Sequence, residues 1–374
     1  MSFVSLRVRA IDLRYLLWVA LGVTTGLVSS HQAFAQTNAF IVTELSGEDA
    51  SQVPRKLNNL GDIVGRKNSA QDGSPRATIW NHSRLISKHL GALSGGDYSS
   101  GSDINDAGEI VGVSNTANAI VPFLWTAKGG LRRVPLLPGD ICGEATAVNK
   151  YGHVAGYSSG TNGTRAFLWT RPAGMHDLRV LSGGNYSRAC SLNDLDEVAA
   201  TSASSTGERA VVWTRTGTAI DLGTLPGDWA SEAAAINNAG DVVGYSKGPG
   251  GMRAFLWTKD SGMQGIGVLP GGHSSQALGI NDSGEIVGTS TSSSGERAFV
   301  WTKQTGMIDL NSASSADLGA VFIEAHAINS RGEILVMGRT THEPGMTGDT
   351  ALSEPPICAP APPSSFILTP VTAQ

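Results

Sequence analysis

Five arginines, Arg76, Arg165, Arg209, Arg253 and Arg297, each head a short apolar stretch that ends in tryptophan, as in Arg253-Ala-Phe-Leu-Trp257. Four glycine-rich segments bring further groups that recognise ligands. They are Gly-Gly-Asp-Tyr at 95–98, Gly-Gly-Asn-Tyr at 183–186, Gly-Asp-Trp at 227–229 and Gly-Gly-His at 271–273, carrying Tyr98, Tyr186, Trp229 and His273. Guanidinium groups pair bidentately with carboxylates, aromatic rings stack on sugars, and glycine lets a ligand approach the backbone. Gathered on one surface, these residues would bind an acidic saccharide or another anionic ligand. A plainer reading stands beside this one. Glu208 and Glu296 directly precede Arg209 and Arg297, so each arginine could instead pair with a nearby acid or cap a sheet edge.

Other chemistry finds less support. Asp62, Glu109, Glu197, Asp241, Glu285 and Glu333 each follow a turn. Calcium wants six to eight oxygens, yet these carboxylates come singly and no Asp-x-Asp-x-Asp run supplies several ligands locally. They read as solvated turn acids, and neither a metal nor a cofactor is expected. The chain has no His-Glu-x-x-His, no Gly-x-Ser-x-Gly and no phosphate-cradling glycine-rich lysine loop. A catalytic site in such a chain should show itself as polar departures from the repeat. The largest departure, 339–364, holds His342, Glu343 and Glu354 but is proline-rich and reads as a loop. Cys142, Cys190 and Cys358 match no zinc or redox spacing; a Cys142–Cys190 disulfide is open, and an odd count leaves a thiol over.

The elements that must position these residues come from internal repetition. The motif Ile-Asn-Asp-x-Gly-Glu-Ile-Val-Gly recurs seven times, with asparagines at 58, 105, 149, 193, 237, 281 and 329, spaced 44 residues apart from 105 to 281. A second motif follows each of the first six, marked by Trp80, Trp125, Trp169, Trp213, Trp257 and Trp301. A third resembles Ala-Ile-Asp-Leu-Gly-Thr-Leu at 219–225. Each repeat therefore holds four short strand candidates, A to D. Asparagine and glycine between A and B are turn chemistry, and Asp196 replaces the glycine in the fourth repeat.

Four strands in a unit of this length predict a propeller blade, so the fold expected is all-β: a seven-bladed β-propeller of four-stranded repeats. A β-solenoid is the main rival. Blades crowd near the axis, which accounts for glycine at 65, 112, 156, 244 and 288 on strand B and tryptophan on strand C. The ends fit closure: residues 39–47 align with strand D, whereas the last repeat lacks its own strand D and has 365–370 as strand C. The amino-terminal strand would then complete the last blade and remove the open sheet edges. In such a disc the B–C turns and the D-to-A crossovers share one face. That face would carry the arginines, tyrosines, Trp229 and His273.

The strand-C motif beside Asn-Asp-x-Gly-Glu-Ile-Val-Gly resembles the bacterial extracellular HAF repeat family, named for His-Ala-Phe before Leu-Trp-Thr, over about residues 39–370. The chain departs from the family at that histidine, where it has arginine five times and Val121 once. The resemblance implies export and a repeat fold, and no catalytic residues.

The first 35 residues agree with export. Arg7, Arg9 and Arg14 precede a 13-residue run, Leu16 to Val28, that is apolar apart from two threonines, and Ala33-Phe34-Ala35 makes a small-x-small cleavage site. A membrane span needs roughly 20 residues, so a secretory signal peptide is expected at 1–35 and a single domain over 36–374. Without the signal, 24 basic and 31 acidic side chains remain. Such a balance argues against a general nucleic-acid binder. The expectation is a monomeric, periplasmic or extracellular, non-catalytic binding or surface-interaction protein whose partner is a glycan or a protein. A carbohydrate-active hydrolase or lyase, and a purely structural repeat protein, remain the alternatives.

Overall fold

The computed structural model describes residues 40–45, 51–81, 86–313, 319–340 and 364–371. The signal segment, Cys358 and most of the 339–364 insertion lie outside these residues. β1 (Phe40–Glu44) precedes the first repeat. Blade 1 comprises β2 (Val53–Leu57), β3 (Ile63–Asn68), β4 (Pro75–Asn81) and β5 (Ile86–His89). Blade 2 comprises β6 (Ser99–Ile104), β7 (Ile110–Asn115), β8 (Ile120–Thr126) and β9 (Gly130–Arg133). β10 (Asp140–Val148), β11 (Val154–Gly160), β12 (Gly163–Thr170) and β13 (Gly174–Arg179) make blade 3. β14 (Ser187–Leu192), β15 (Val198–Ser204), β16 (Gly207–Trp213) and β17 (Ala219–Asp221) make blade 4. In blade 5 the strands are β18 (Ala230–Ile236), β19 (Val242–Gly248), β20 (Gly251–Thr258) and β21 (Gly262–Gly265). Blade 6 holds β22 (Ser275–Ile280), β23 (Ile286–Ser292), β24 (Gly295–Thr302) and β25 (Gly306–Asp309). β26 (Ala320–Ile328), β27 (Ile334–Thr340) and β28 (Ser364–Pro370) begin blade 7.

Every sheet is a four-stranded antiparallel meander, and the seventh has the order β26-β27-β28-β1. Phe40 pairs with Pro370 and Glu44 with Phe366, so the amino-terminal strand supplies the outer strand that the last repeat lacks. The chain is a seven-bladed β-propeller closed by its two ends.

Seven apolar clusters fill the seven junctions between blades. At the junction of blades 3 and 4, Ala147, Ala155 and Leu168 meet Leu192, Val198, Val211 and Trp213. At the closing junction, Leu57, Ile63 and Trp80 of blade 1 meet Ala327, Leu335 and Ile367 of blade 7. Strand C thus presents its tryptophan to the preceding blade. A tryptophan buries 150–250 Å², enough for one per blade to dominate each junction.

The A–B turns behave as the turn residues predict. Gly61, Gly108, Gly152, Gly240, Gly284 and Gly332 have φ between 71° and 83°, and Asp196 takes 61°. The strand-B glycines have a different cause from crowding at the axis. A Cβ on Gly244 would lie 2.0 Å from the Glu232 carbonyl oxygen, and one on Gly112 2.0 Å from that of Ser100. The inner strand of every blade carries a β-bulge at this level, and in five blades the glycine opposite it leaves room for the displaced carbonyl. Cys142 and Cys190 are unbridged thiols.

Candidate functional site

The seven recurring asparagines form a closed circuit. Each takes its own turn's amides on Oδ1; Asn193 accepts from Leu195 N at 3.0 Å and Glu197 N at 2.9 Å. Each then donates Nδ2 to the backbone carbonyl of the asparagine in the next blade. The donations run 58 to 105, 105 to 149, 149 to 193, 193 to 237, 237 to 281, 281 to 329 and finally 329 to 58, at 2.9–3.3 Å. All seven side chains are buried. This circuit lines a shallow axial depression of about 210 Å³ on the A–B face.

Five of the six acids that follow those turns are structural partners rather than merely solvated. Glu109, Glu197, Asp241, Glu285 and Glu333 accept from the asparagine Nδ2 of their own blade at 2.6–3.3 Å. Arg171 of the neighbouring blade also pairs with Glu109, and Glu333 is buried. No group of three or more His, Cys, Asp and Glu side chains among the described residues is placed to hold a metal ion.

The arginines of strand C sit at the B–C turns and turn inward onto their own blades. Arg165 pairs with buried Asp140 at 3.2 Å and with Asp177 at 2.6 Å. Arg253 pairs with buried Asp228 at 2.7 Å, Arg297 with Asp309 at 3.8 Å, and Arg76 with Asp72 at 2.8 Å. Arg209 donates to the Trp229 carbonyl at 2.9 Å and to Thr206. These contacts staple each crossover or turn to strand C, so the five guanidiniums are engaged and dispersed around the rim. Trp229 and His273 are exposed on their crossovers, and Tyr98 lies 3.5 Å from Arg66 through its hydroxyl. Of the nine residues, only Tyr186 lines the axial cavity.

That cavity occupies about 790 Å³, bounded by the inner strands and by residues at the crossover end. The bulge on each inner strand explains its lining. At this level pairing skips Arg55, Ser102, Thr146, Cys190, Ala234, Leu278 and His326, one in each blade; blades 3 and 7 skip Ile141 and Ile323 as well. A bulged residue loses its ladder partner and re-aims its side chain, and all seven of these line the cavity. Two positions earlier on the same strands, Val53, Glu144, Arg188, Glu232 and Glu324 line it as well.

These residues differ in type from blade to blade, whereas their flanks repeat. Their electrostatics are unevenly resolved. Glu144 accepts from Ser102 and from Tyr157, both at 3.0 Å, and Glu208 accepts from Tyr186. Lys247 pairs with Glu232, and His326 lies 3.3 Å from Glu324. Among the described residues, Arg55, Lys56 and Arg188 have no carboxylate in salt-bridge range. Burial, then the adjoining carboxylates, push the Tyr157 and Tyr186 phenols up to about 12, so they stay protonated donors. Burial pushes the Cys190 thiol up to about 12, leaving it unreactive at neutral pH, and lowers His326 against the opposing pull of Glu324.

No protein-family model matches the chain, and no curated protein resembles it in sequence. Among solved structures it is similar to TolB from Acinetobacter baumannii, at 12% identity over 64% of this chain and 61% of that one (TM-score 0.44). It is similar also to the β-propeller domain of the Trilobed protease from Pyrococcus furiosus, at 10% identity over 69% and 83% of the two chains (TM-score 0.46). The Dos1 propeller matches at 10% identity over 88% and 95% (TM-score 0.44). Such likenesses carry nothing about ligand or activity, and the fold rests on the strand pairing itself.

Proposed function

We propose that this chain is an exported, non-catalytic binding propeller of the HAF-repeat kind, and that it seats a hydrophilic, acceptor-rich ligand such as an acidic saccharide in its axial cavity. The observation that carries this reading is where the repeat is broken. Strand B, the asparagine circuit and the tryptophan column recur because the fold needs them; the bulged column recurs in geometry but not in chemistry. A scaffold that holds seven side chains toward one cavity, and varies them while its strand-B, asparagine and tryptophan columns recur, is suited to recognition. The volume suits a small ligand, since such sites run about 300–1,000 Å³. Arg55 and Lys56 add cationic donors that no described carboxylate meets at salt-bridge distance. The amino-terminal basic and apolar segment supports export. Among the described residues no helix is long and apolar enough to cross a membrane.

Binding of the purified chain to a panel of acidic and neutral oligosaccharides tests this reading. Arg55→Ala should weaken binding about tenfold, the scale of one lost charge-assisted contact. Arg253→Ala should keep the affinity while lowering stability by about 1 kcal/mol, because the 41% exposed guanidinium is partly screened. Binding that fails in Arg253→Ala and survives in Arg55→Ala would move the site to the crossover rim. Turnover of any oligosaccharide would make the chain an enzyme.

A further inference from the structure

Arg188 differs from every other cation of the cavity in how it is held. It stands on β14 with its guanidinium carbon 5.4 Å from the ring centre of Tyr157 and 5.8 Å from that of Tyr186. Both rings are themselves fixed at their far ends: the Tyr157 hydroxyl donates to Glu144 at 3.0 Å, and the Tyr186 hydroxyl donates to Glu208. Two phenols tied to two carboxylates therefore make a rigid aromatic seat under one guanidinium. Arginine over an aromatic ring spends its π-face on the contact and keeps its N–H fork in the plane. Among the described residues no acceptor lies within hydrogen-bonding distance of that fork, and the residue is exposed to the cavity.

We infer that Arg188 is the anion receptor of the cavity and that its ligand is a planar carboxylate bound through two parallel N–H···O contacts. This assignment rests on the cavity reading above and names the chemical class for it. The carboxylates behind the two rings are occupied in holding the seat. Glu144 receives Ser102 and Tyr157, while Glu208 receives Tyr186 and has Lys247 at 3.7 Å. A fork seated on rings is preorganised, so little entropy is lost when the carboxylate docks. Lysine at this place would keep the charge and lose the fork, which separates geometry from net charge.

The test compares uronic and sialic acid oligosaccharides with their carboxamide counterparts, by calorimetry, on the wild-type chain and on Arg188→Lys and Arg55→Ala. The wild type should bind at least one acid about tenfold or more tighter than its carboxamide. Arg188→Lys should abolish that preference while melting within a few degrees of the wild type. The Arg188 Nε–H resonance should shift on adding the acid and stay in place on adding the carboxamide. Acid and carboxamide bound alike, a preference that survives Arg188→Lys, or no acid bound at all would each overturn the assignment. If ligands bind without preference yet weaken in Arg55→Ala, only Arg188 falls. If binding ignores both substitutions, the cavity reading falls with it.

Discussion

Replacing Asn193 by aspartate should destabilise the protein by about 2–3 kcal/mol at neutral pH, although the two side chains have the same shape. Aspartate serves a turn as well as asparagine does, because its oxygen accepts the same local amides. It would keep the contacts from Leu195 N and Glu197 N. What it loses is the Nδ2 donor, which reaches the Asn237 carbonyl at 3.1 Å and the Glu197 carboxylate at 2.9 Å. A second carboxylate would then face both acceptors in a buried place. Asn193→Ala should cost more, about 3–4 kcal/mol, since the turn amides are orphaned too. Chemical denaturation of the two variants checks this. An aspartate variant as stable as the wild type would mean that the residue serves its own turn alone.

A chain beginning at Asp49 should be less stable than one beginning at Gln36 by about 4–6 kcal/mol and should aggregate. The missing segment buries Phe40 and half-buries Val42 against the last blade, and buries Leu45 at the closing junction. Full burial of such a side chain stabilises by about 1.5–3 kcal/mol. Its loss also bares the hydrogen-bonding edge of β28, and exposed strand edges recruit other chains. Adding a synthetic peptide of residues 37–48 should restore part of the melting temperature. Equal stability of the two chains would show that the last blade needs only three strands.

The blade plan was legible because it is written seven times over. Periodic tryptophan, the turn asparagine and glycine, and the complementary ends at Phe40 and Phe366 constrain the topology without reference to any contact. The role of asparagine was half legible. Its turn function follows from the residues after it, yet its choice over aspartate in all seven copies signals a second duty, the donation to the next blade. The size of Gly244 fits crowding at the axis, but its cause is the carbonyl of Glu232 on the facing inner strand, next to the bulge. A bulge slips the two-residue alternation by one, and in short strands rich in alanine, serine and glycine that slip leaves little mark. The site suffered most from this. Arg165 and Arg253 stood out because they repeat, and what repeats here serves the blade, with Asp140 and Asp228 as partners. Arg55 and His326 give no repeating signal because they align with serine, alanine and leucine in other blades, and Arg188 because it aligns with valine, serine and glutamate. Polar departures from the repeat occur on the inner strand, at Arg55, Arg188 and His326, and the 339–364 insertion lies mostly outside the described residues.

Residue-resolved hydrogen exchange of β1 tests ring closure most directly, because the cavity exists only if the disc is sealed. Leu45 N donates to the Ser365 carbonyl at 2.9 Å. In an antiparallel pair the inward amides alternate, which places those of Ile41 and Thr43 toward β28 and those of Val42 and Glu44 away from it. Closure predicts that Ile41, Thr43 and Leu45 exchange as slowly as the amides of β28, while Val42 and Glu44 exchange fast. Uniformly rapid exchange across residues 41–45, beside a protected β28, would contradict it.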